Sequence, residues 1–405
     1  MNERRPPPRP RSGPRAPLAH PRGAIELHGP EELARPLAEL LTRATELDAD
    51  VLTHGFHVWP ARMHRAIAGG LLELLAPRPG ATVLDPFVGG GTVAVEARVR
   101  GHELIGVDAN PLSAWVVRVK TRLTTADDRE AFGVLLRFLC ERSFERVRER
   151  RDAVAKLHGE HLGLYGTHTL KELAGLLEEI RGLDPAVDPA DREAALVLFS
   201  AIVGKVSNKR ADTADDEVRK RIRKGLSTEL FDRKGQELVA RWAELSRAMR
   251  VRPAPMQLIT GDAREVSRLL RGRAVDVILT SPPYGGTYDY VEHHALRLDW
   301  LNLPRAAFER AEIGARRHED NGERWDRELG ASLAAMRSVL RGPASRVALV
   351  IGDAQLGPRR IDAHAHVLAL CPKVGLRPIA AASEERPDHL GGPPRREHLI
   401  ILAPR

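Results

Sequence analysis

Between Ala81 and Asp108 the chain alternates between apolar runs and tight punctuation, and this stretch narrows the possible folds more than any other. Val83 and Leu84 lead into D-P-F-V-G-G-G-T (Asp85–Thr92), and a second apolar run closes as I-G-V-D at Asp108. The pattern predicts a strand over Ala81–Phe87, a glycine turn, a helix over Val93–Val99 and a second strand over Glu103–Asp108. Strand, glycine turn, helix and strand within about thirty residues make a βαβ unit of a parallel sheet.

Upstream, leucines at helical spacing (Leu33, Leu37, Leu40, Leu41) predict a helix from Glu31 to about Glu46, and a second amphipathic helix is expected over Met63–Leu75. Further strands are expected at Gln257–Thr260, Val275–Thr280, Arg346–Ile351, Arg377–Ala382 and His398–Leu402. Gly391–Arg396 reads as a turn before the last of these, as in an antiparallel hairpin. Seven strands in all suggest one α/β sheet. Residues 112–250 are long charged helical runs with few strand signals. The organisation expected is therefore a Pro/Arg-rich disordered tail (1–23), the first part of the sheet domain (24–111), a helical insertion (112–250) and the rest of the sheet domain (251–405).

Composition removes several classes. At 405 residues, 42% hydrophobic and 29% charged, the chain can bury a full core. No apolar stretch approaches a membrane span, and the arginines and prolines at the start are not followed by the apolar core of a signal peptide. The only cysteines, Cys140 and Cys371, are too far apart for a disulfide framework or a zinc site. That pattern points to a reducing cytoplasm and away from cysteine-nucleophile chemistry. The formal charge of +8 favours encounter with nucleic acid, although arginine is abundant throughout the chain.

The glycine turn and two acids describe a pocket. Gly89 and Gly91 let the backbone turn sharply and approach a ligand closely. The following helix, opening at Thr92, offers free N–H groups. Asp85 and Phe87 border the turn at a strand's carboxyl end, where ligands bind in open α/β sheets. Asp108 suits a carboxylate that accepts from ribose hydroxyls, and Asp262, in T-G-D-A-R, suits an acceptor for an adenine amino group. Together they fit an adenosine-containing cofactor. A purely structural turn, with Asp108 capping the Asn110–Pro111 bend, also accounts for part of the pattern. A nicotinamide site is disfavoured because the glycines do not follow G-x-G-x-x-G.

A second motif closes another apolar strand: Ser281-Pro282-Pro283-Tyr284. The prolines remove two N–H donors and leave carbonyl acceptors, so the segment suits hydrogen bonds from an amino group. Tyr284 offers an aromatic face for a flat base. An exocyclic amine is conjugated into its ring and is a poor nucleophile. Acceptors at Ser281 Oγ and the Pro282 carbonyl would draw its hydrogens out of plane and free the lone pair. Neither metal nor covalent intermediate is required.

These two motifs, in this order, resemble those of the DNA amino-methyltransferases, the N4-cytosine and N6-adenine enzymes. D-P-F-V-G-G-G-T resembles the family's F-x-G-x-G through Phe87, Gly89 and Gly91, and S-P-P-Y its [DNS]-P-P-[YFW]. H-G-F-H-V-W-P-A-R (His54–Arg62) is similar to the segment before the first strand of many bacterial members. The resemblance covers roughly Thr53–Asn110 and Gln257–Leu402. It implies a Rossmann-like class I methyltransferase fold with a seven-stranded, mostly parallel sheet. It also implies S-adenosyl-L-methionine as cofactor, bordered by Phe87 and the glycines with Asp108 at its ribose, and a target base held by Ser281 to Tyr284. Cytosine N4 is the favoured target, since S-P-P-Y accompanies N4-cytosine specificity in the family more often than adenine specificity. DNA is the expected partner, in a restriction–modification or epigenetic setting. An RNA amino-methyltransferase is the near rival, and a catalytically silent nucleic-acid-binding protein the distant one.

The helical insertion departs from the family pattern and is a candidate recognition element. Its basic stretch (Lys209, Arg210, Arg219, Lys220, Arg221, Arg223, Lys224) suits phosphate contact. Interleaved with Asp212, Asp215, Asp216 and Glu217, it equally suits a solvated, self-paired helix face. Tyr288 and Tyr290 fit either a loop over the base or the core. Glu292, His293 and His294 are consecutive, point in different directions and are not expected to share a metal. Asp353, in I-G-D-A, is expected at the edge of the site or in a turn.

Overall fold

The computed structural model describes residues 23–210, 217–315, 321–356, 359–386 and 394–405. The expected tail over residues 1–22, Asp212, Asp215 and Asp216 of the basic stretch, and residues 391–393 of the Gly/Pro/Arg turn lie outside the described residues.

The chain begins with β1 (Ile25–His28), α1 (Glu31–Glu46), α2 (Arg65–Leu75), β2 (Thr82–Asp85), α3 (Thr92–Arg100) and β3 (Glu103–Asp108). Helices follow: α4 (Pro111–Thr121), α5 (Ala126–Arg148), α6 (Gly159–Leu162), α7 (Thr167–Arg181), α8 (Pro189–Val203) and α9 (Leu226–Ala248). Then come β4 (Met256–Thr260), α10 (Val266–Leu269), β5 (Val277–Thr280), α11 (Tyr290–Leu301), α12 (Ala306–Ala311) and α13 (Asn321–Ser338). The chain closes with β6 (Arg346–Gly352), β7 (Ala354–Leu356), β8 (Arg359–Ile361), α14 (Ala363–Leu370), β9 (Leu376–Arg386) and β10 (Arg395–Pro404).

One eight-stranded sheet has the order β1-β9-β10-β6-β5-β2-β3-β4. Its centre is parallel from β4 through β3, β2 and β5 to β6, and β10 returns antiparallel between β6 and β9. This is a Rossmann-like class I methyltransferase sheet. The seven expected strands are all in it, but the count is one short. β1 also pairs antiparallel with β9, from Ile25↔Glu384 to His28↔Ala381. Four half-exposed residues on an edge carry almost no pattern of their own, because pairing rather than burial makes them a strand.

Side chains alternate between the two faces of the sheet. Val83, Leu104, Val277, Leu279, Ala348 and Val350 meet α1 and α2 through Leu37, Leu41, Ile67 and Leu71. Leu84, Ile105, Ile278, Val347 and Leu349 meet α13 through Leu329, Leu333 and Met336. Each such fully buried aliphatic contributes about 1.5–3 kcal/mol of burial.

Between β3 and β4 the described residues contain helices and one isolated bridge, Lys209↔Glu217. α4 still packs on the sheet layer, with Val117 among its core residues. α5, α7, α8 and α9 build a separate core around Phe132, Phe199, Phe231 and Trp242. Trp242 is fully buried against Phe132, and its Nε1 donates to the Val119 carbonyl at 2.7 Å. Thr125 and Asp128 form a capping box that starts α5 after a short turn from α4.

The chain direction across the sheet reverses at β2. β2, β3 and β4 progress one way, and β5 and β6 lie on the other side of β2. Beyond the carboxyl ends of β2 and β5 this leaves a crevice that no crossover helix fills, the usual ligand position in such sheets.

Candidate active site

A cleft of about 910 Å³, its open mouth included, occupies that crevice. Asp85, Phe87, Gly89, Gly91, Thr92 and Asp108 line it from the cofactor motif, and Ser281 and Pro283 from the second motif. Residues 195 apart in sequence meet directly here: the Thr280 hydroxyl donates to Asp85 Oδ1 at 2.6 Å.

The glycine turn is held at three points. Asp108 Oδ2 accepts from the Gly89 N–H at 2.8 Å, Ser113 Oγ donates to the Gly89 carbonyl at 2.6 Å, and Lys120 Nζ donates to the Gly90 carbonyl at 2.6 Å. Gly89 and Gly91 have φ of +46° and +80°, the left-handed region. A Cβ on Gly89 would stand 2.9 Å from Trp59 Nε1, and one on Gly91 2.9 Å from Val117. Conformation and space therefore both demand glycine at these positions.

Lys120 is fully buried, and its Nζ also donates to the His54 carbonyl at 3.1 Å. Burial pushes its ammonium well below the usual lysine range. Lys120→Met would leave the buried Gly90 carbonyl without its donor, at a cost of about 1–3 kcal/mol, while the His54 carbonyl keeps its bond from Arg62. A loss of about 1–3 kcal/mol in urea unfolding is expected, together with weaker cofactor binding. A variant as stable as the parent would remove Lys120 from this role.

Asp108 Oδ1 accepts from the Asn110 N–H at 2.8 Å, so the carboxylate caps the Asn110–Pro111 bend and also holds the glycine turn. With one N–H on each oxygen, lone pairs remain on both for ligand hydroxyls. Burial pushes the Asp108 carboxyl up to about 6. Burial likewise lifts Asp85 to about 7, although Thr280 and the Phe87 N–H donate to it.

Next to the glycine turn, Thr92 Oγ1 and Asn110 Nδ2 are buried without a partner among the described residues. A pair of unmatched groups beside a half-satisfied carboxylate is a donor and acceptor set prepared for a polar ligand. A ribose with its neighbouring polar groups has the matching chemistry, and Phe87 adds an apolar surface.

The structure relocates Asp262. It receives Arg264 on both oxygens, at 2.6–3.0 Å, and caps a short 3₁₀ turn. Its neighbour Ala263, not Asp262, lines the cleft. Asp262 therefore stands paired with Arg264, outside the cleft lining.

The second motif divides. Ser281 and Pro283 face the cleft, while Pro282 and Tyr284 are buried and do not line it. Pro283 O accepts from Trp325 Nε1 at 3.4 Å, and the Pro282 carbonyl has no partner among the described residues. Ser281 Oγ lies 3.5 Å from the Tyr284 hydroxyl, a long contact that leaves the serine available. Tyr284 is 8% exposed, packs over Gly352 and donates to Glu397 Oε1 at 3.0 Å. Burial and the Glu397 carboxylate push its phenol well above the usual range. The structure thus places the Tyr284 ring outside the cleft lining. Its ring is core, because β10 supplies a carboxylate that fixes the hydroxyl inward.

Tyr290 supplies the phenol that lines the cleft, together with Trp59 and His294. The Trp59 and His294 rings stand 4.3 Å apart. Trp59 belongs to the His54–Arg62 segment, which is tied to the cofactor layer by His54 Nε2 against Glu96 Oε1 at 2.8 Å. The resemblance of that segment was the available signal for Trp59. His294 stands out in the sequence only through the metal reading of Glu292, His293 and His294 that spacing argues against, and nothing in the local pattern marks Lys120.

Asp353 is not part of the cleft. Although burial works against it, hydrogen bonds from His398 and the Ala363 and Arg396 N–H groups hold its carboxyl at about 2. It ties the end of β6 to β10 and α14. Asp353, Asp362 and His398 lie close enough to share an ion, but Asp362 caps α14 and the Asp353–His398 bond already satisfies both partners.

The basic stretch is extended rather than helical from Glu217 to Arg223. Arg210, Arg219, Arg221, Arg223 and Lys224 are exposed, and Lys209 and Lys220 half-buried. Arg223 is paired with Glu229. The expected self-paired helix face is thus corrected in form. Asn208 organises the stretch: its backbone carbonyl accepts from the Val218 N–H and its side-chain Oδ1 from the Lys220 N–H, the latter a tie that competes with helix.

A family model described as UPF0020, RMKL-like, methyltransferase domain, matches residues 57–137. The Type II methyltransferase M.MvaI of Kocuria varians is 42% identical over 72 residues, 17% of this chain and 16% of that protein. Among solved structures, TrmN from Thermus thermophilus covers 85% of this chain and 49% of its own at 15% identity, with a TM-score of 0.33. The rRNA methyltransferase aviRa from Streptomyces viridochromogenes covers 89% and 94% at 13% identity, with a TM-score of 0.32. No described helix is long and apolar enough to cross a membrane. The matched family segment contains the glycine turn and Asp108, and the sheet around it is of the methyltransferase kind. The matched segment and the donor and acceptor set of the cleft fit S-adenosylmethionine as cofactor.

Proposed function

We propose that the chain methylates an exocyclic amino group of a nucleic-acid base, with DNA as substrate and cytosine N4 as the favoured position. The observation that carries this reading is the convergence of Ser281 and Pro283 with Asp108 and the glycine turn in one cleft. The similarity of a short stretch to a Type II methyltransferase supports the methyltransferase reading, and the resemblance of the two motifs to the DNA amino-methyltransferases favours DNA over RNA.

The residues divide the work. Asp108 accepts from the ribose hydroxyls and keeps the glycine turn in place. Phe87 and the wall containing Thr92 and Asn110 border the rest of the cofactor. S-adenosylmethionine supplies an electrophilic methyl group on a sulfonium. Ser281 Oγ, in the cleft wall, accepts an amine hydrogen and helps hold the lone pair free of the ring. In this scheme rate comes from proximity and alignment. The methylated nitrogen carries a surplus proton that is acidic enough to pass to water in the open cleft. Because the cleft is recessed, a duplex base must leave its stack to enter.

The test uses labelled cofactor with genomic DNA and total RNA in parallel. Transfer to DNA, with the label in a methylated amine after digestion to nucleosides, is the expected result. Label in RNA alone would shift the substrate to RNA, and label in neither would end the reading.

The helical block is the part of this reading that contacts the nucleic-acid backbone, through the exposed Arg219, Arg221 and Lys224. Replacing these three with glutamine should weaken DNA binding at every sequence. It should also lower the slope of log K against log salt by about 0.9 for each phosphate no longer neutralised. An unchanged slope would make the stretch a solvated loop.

A further inference from the structure

His294 is the least economical residue in the cleft wall. It is 1% exposed, and both ring nitrogens lack a hydrogen-bond partner. Leaving one buried polar atom unmatched costs about 1–3 kcal/mol, so two on one ring demand a reason. Packing alone does not supply it, because a leucine or phenylalanine would fill the place beside Trp59 without that cost. The ring also belongs to the wall shared with Ser281, Pro283 and Tyr290.

We propose that His294 is a specificity-determining contact to the target base, donating an N–H to the ring nitrogen next to the amine that Ser281 holds. This rests on the amino-methyltransferase reading above. Burial, with Arg297 and His293 nearby, drives the imidazole well below the usual histidine range, so the ring is neutral and carries one N–H and one lone pair. Bases with a methylatable amine present that amine beside a ring acceptor, N3 in cytosine and N1 in adenine. Ser281 at the amine and His294 at the ring nitrogen then make a two-point match. Thymine and uracil fail it, because their corresponding ring nitrogen carries a hydrogen. Trp59, tilted against the imidazole at 43°, fixes the ring from behind.

The test couples enzyme and substrate changes. The methylated position is first located with the wild-type protein. Oligonucleotides are then made with the natural base or its deaza analogue there, 3-deazacytosine for a cytosine target or 1-deazaadenine for an adenine target. Wild type should prefer the natural base by about 10–100-fold in kcat/KM. His294→Leu should lose a similar factor on the natural base and show little further loss on the analogue. Easier extrusion of a weakly paired analogue affects both proteins alike and cancels in the ratio. His294→Asn, which keeps a donor, should recover part of the preference. Cofactor affinity within twofold of wild type shows that each variant is folded, and if His294→Leu fails that check, His294→Phe, which also removes the donor, decides by the same ratio.

A donor-free variant, His294→Leu or His294→Phe, that discriminates as strongly as wild type would overturn the proposal and leave the methyltransferase reading standing. A wild-type protein that methylates no nucleic acid would remove both.

Discussion

Ser281→Ala is expected to lower kcat by about a hundredfold or more while the S-adenosylmethionine Kd stays within twofold. The nitrogen of the attacking amine gains positive charge as the methyl group arrives, so an acceptor on its hydrogens matters more in the transition state than in the ground state. Loss of one such preorganised partner in a desolvated site costs about 10²–10³ in rate. Ser281 is suited to this because its hydroxyl has only the long contact to Tyr284. The same reaction mixtures report the base. Digested DNA should contain N4-methylcytosine, the modification that S-P-P-Y accompanies more often in the family these motifs resemble. N6-methyladenine alone would move the target and keep the mechanism. 5-Methylcytosine would end the mechanism, because that reaction needs a cysteine nucleophile. Cys140 and Cys371 are both buried, outside the cleft, with thiols pushed by burial up to about 12 and about 11.

Asp108→Ala should weaken S-adenosylmethionine binding by about 10–100-fold, the worth of about 1.5–3 kcal/mol for hydrogen bonds to a charged group. Calorimetry on a folded variant reads this directly. Wild-type affinity should also fall as pH is lowered through about 6. The Asp108 carboxyl of the free protein titrates there, and ribose hydroxyls favour its ionised form. Binding is therefore full above that pH and lost below it. Asp108→Asn should abolish this step, and any step remaining near 7 belongs to Asp85. An Asp108→Ala protein with unchanged affinity, or an Asp108→Asn protein with an unchanged pH profile, would remove Asp108 from the ribose.

Much of the site was legible in the sequence because its requirements are local. A left-handed turn excludes side chains at Gly89 and Gly91, an acid must end β3, and consecutive prolines must leave carbonyls without N–H groups. Each requirement writes a residue type at a fixed place. For Tyr284 and Asp262 local logic says less about placement, because Glu397 from β10 takes the Tyr284 hydroxyl and Arg264 pairs with Asp262.

The sequence by itself determined the alternation that places β2, β3, β5 and β6 in a two-faced sheet, the glycine turn, and the order in which the motifs meet that sheet. These follow from side-chain period and backbone sterics, which act over a few residues. Only the tertiary structure decided which aromatic rings face the cleft, that Lys120 from α4 pins the turn, and that His294 from α11 stands unpartnered beside Trp59. Those outcomes depend on groups far apart in the chain competing for the same buried hydrogen bonds. That competition exists only once the sheet has brought them together.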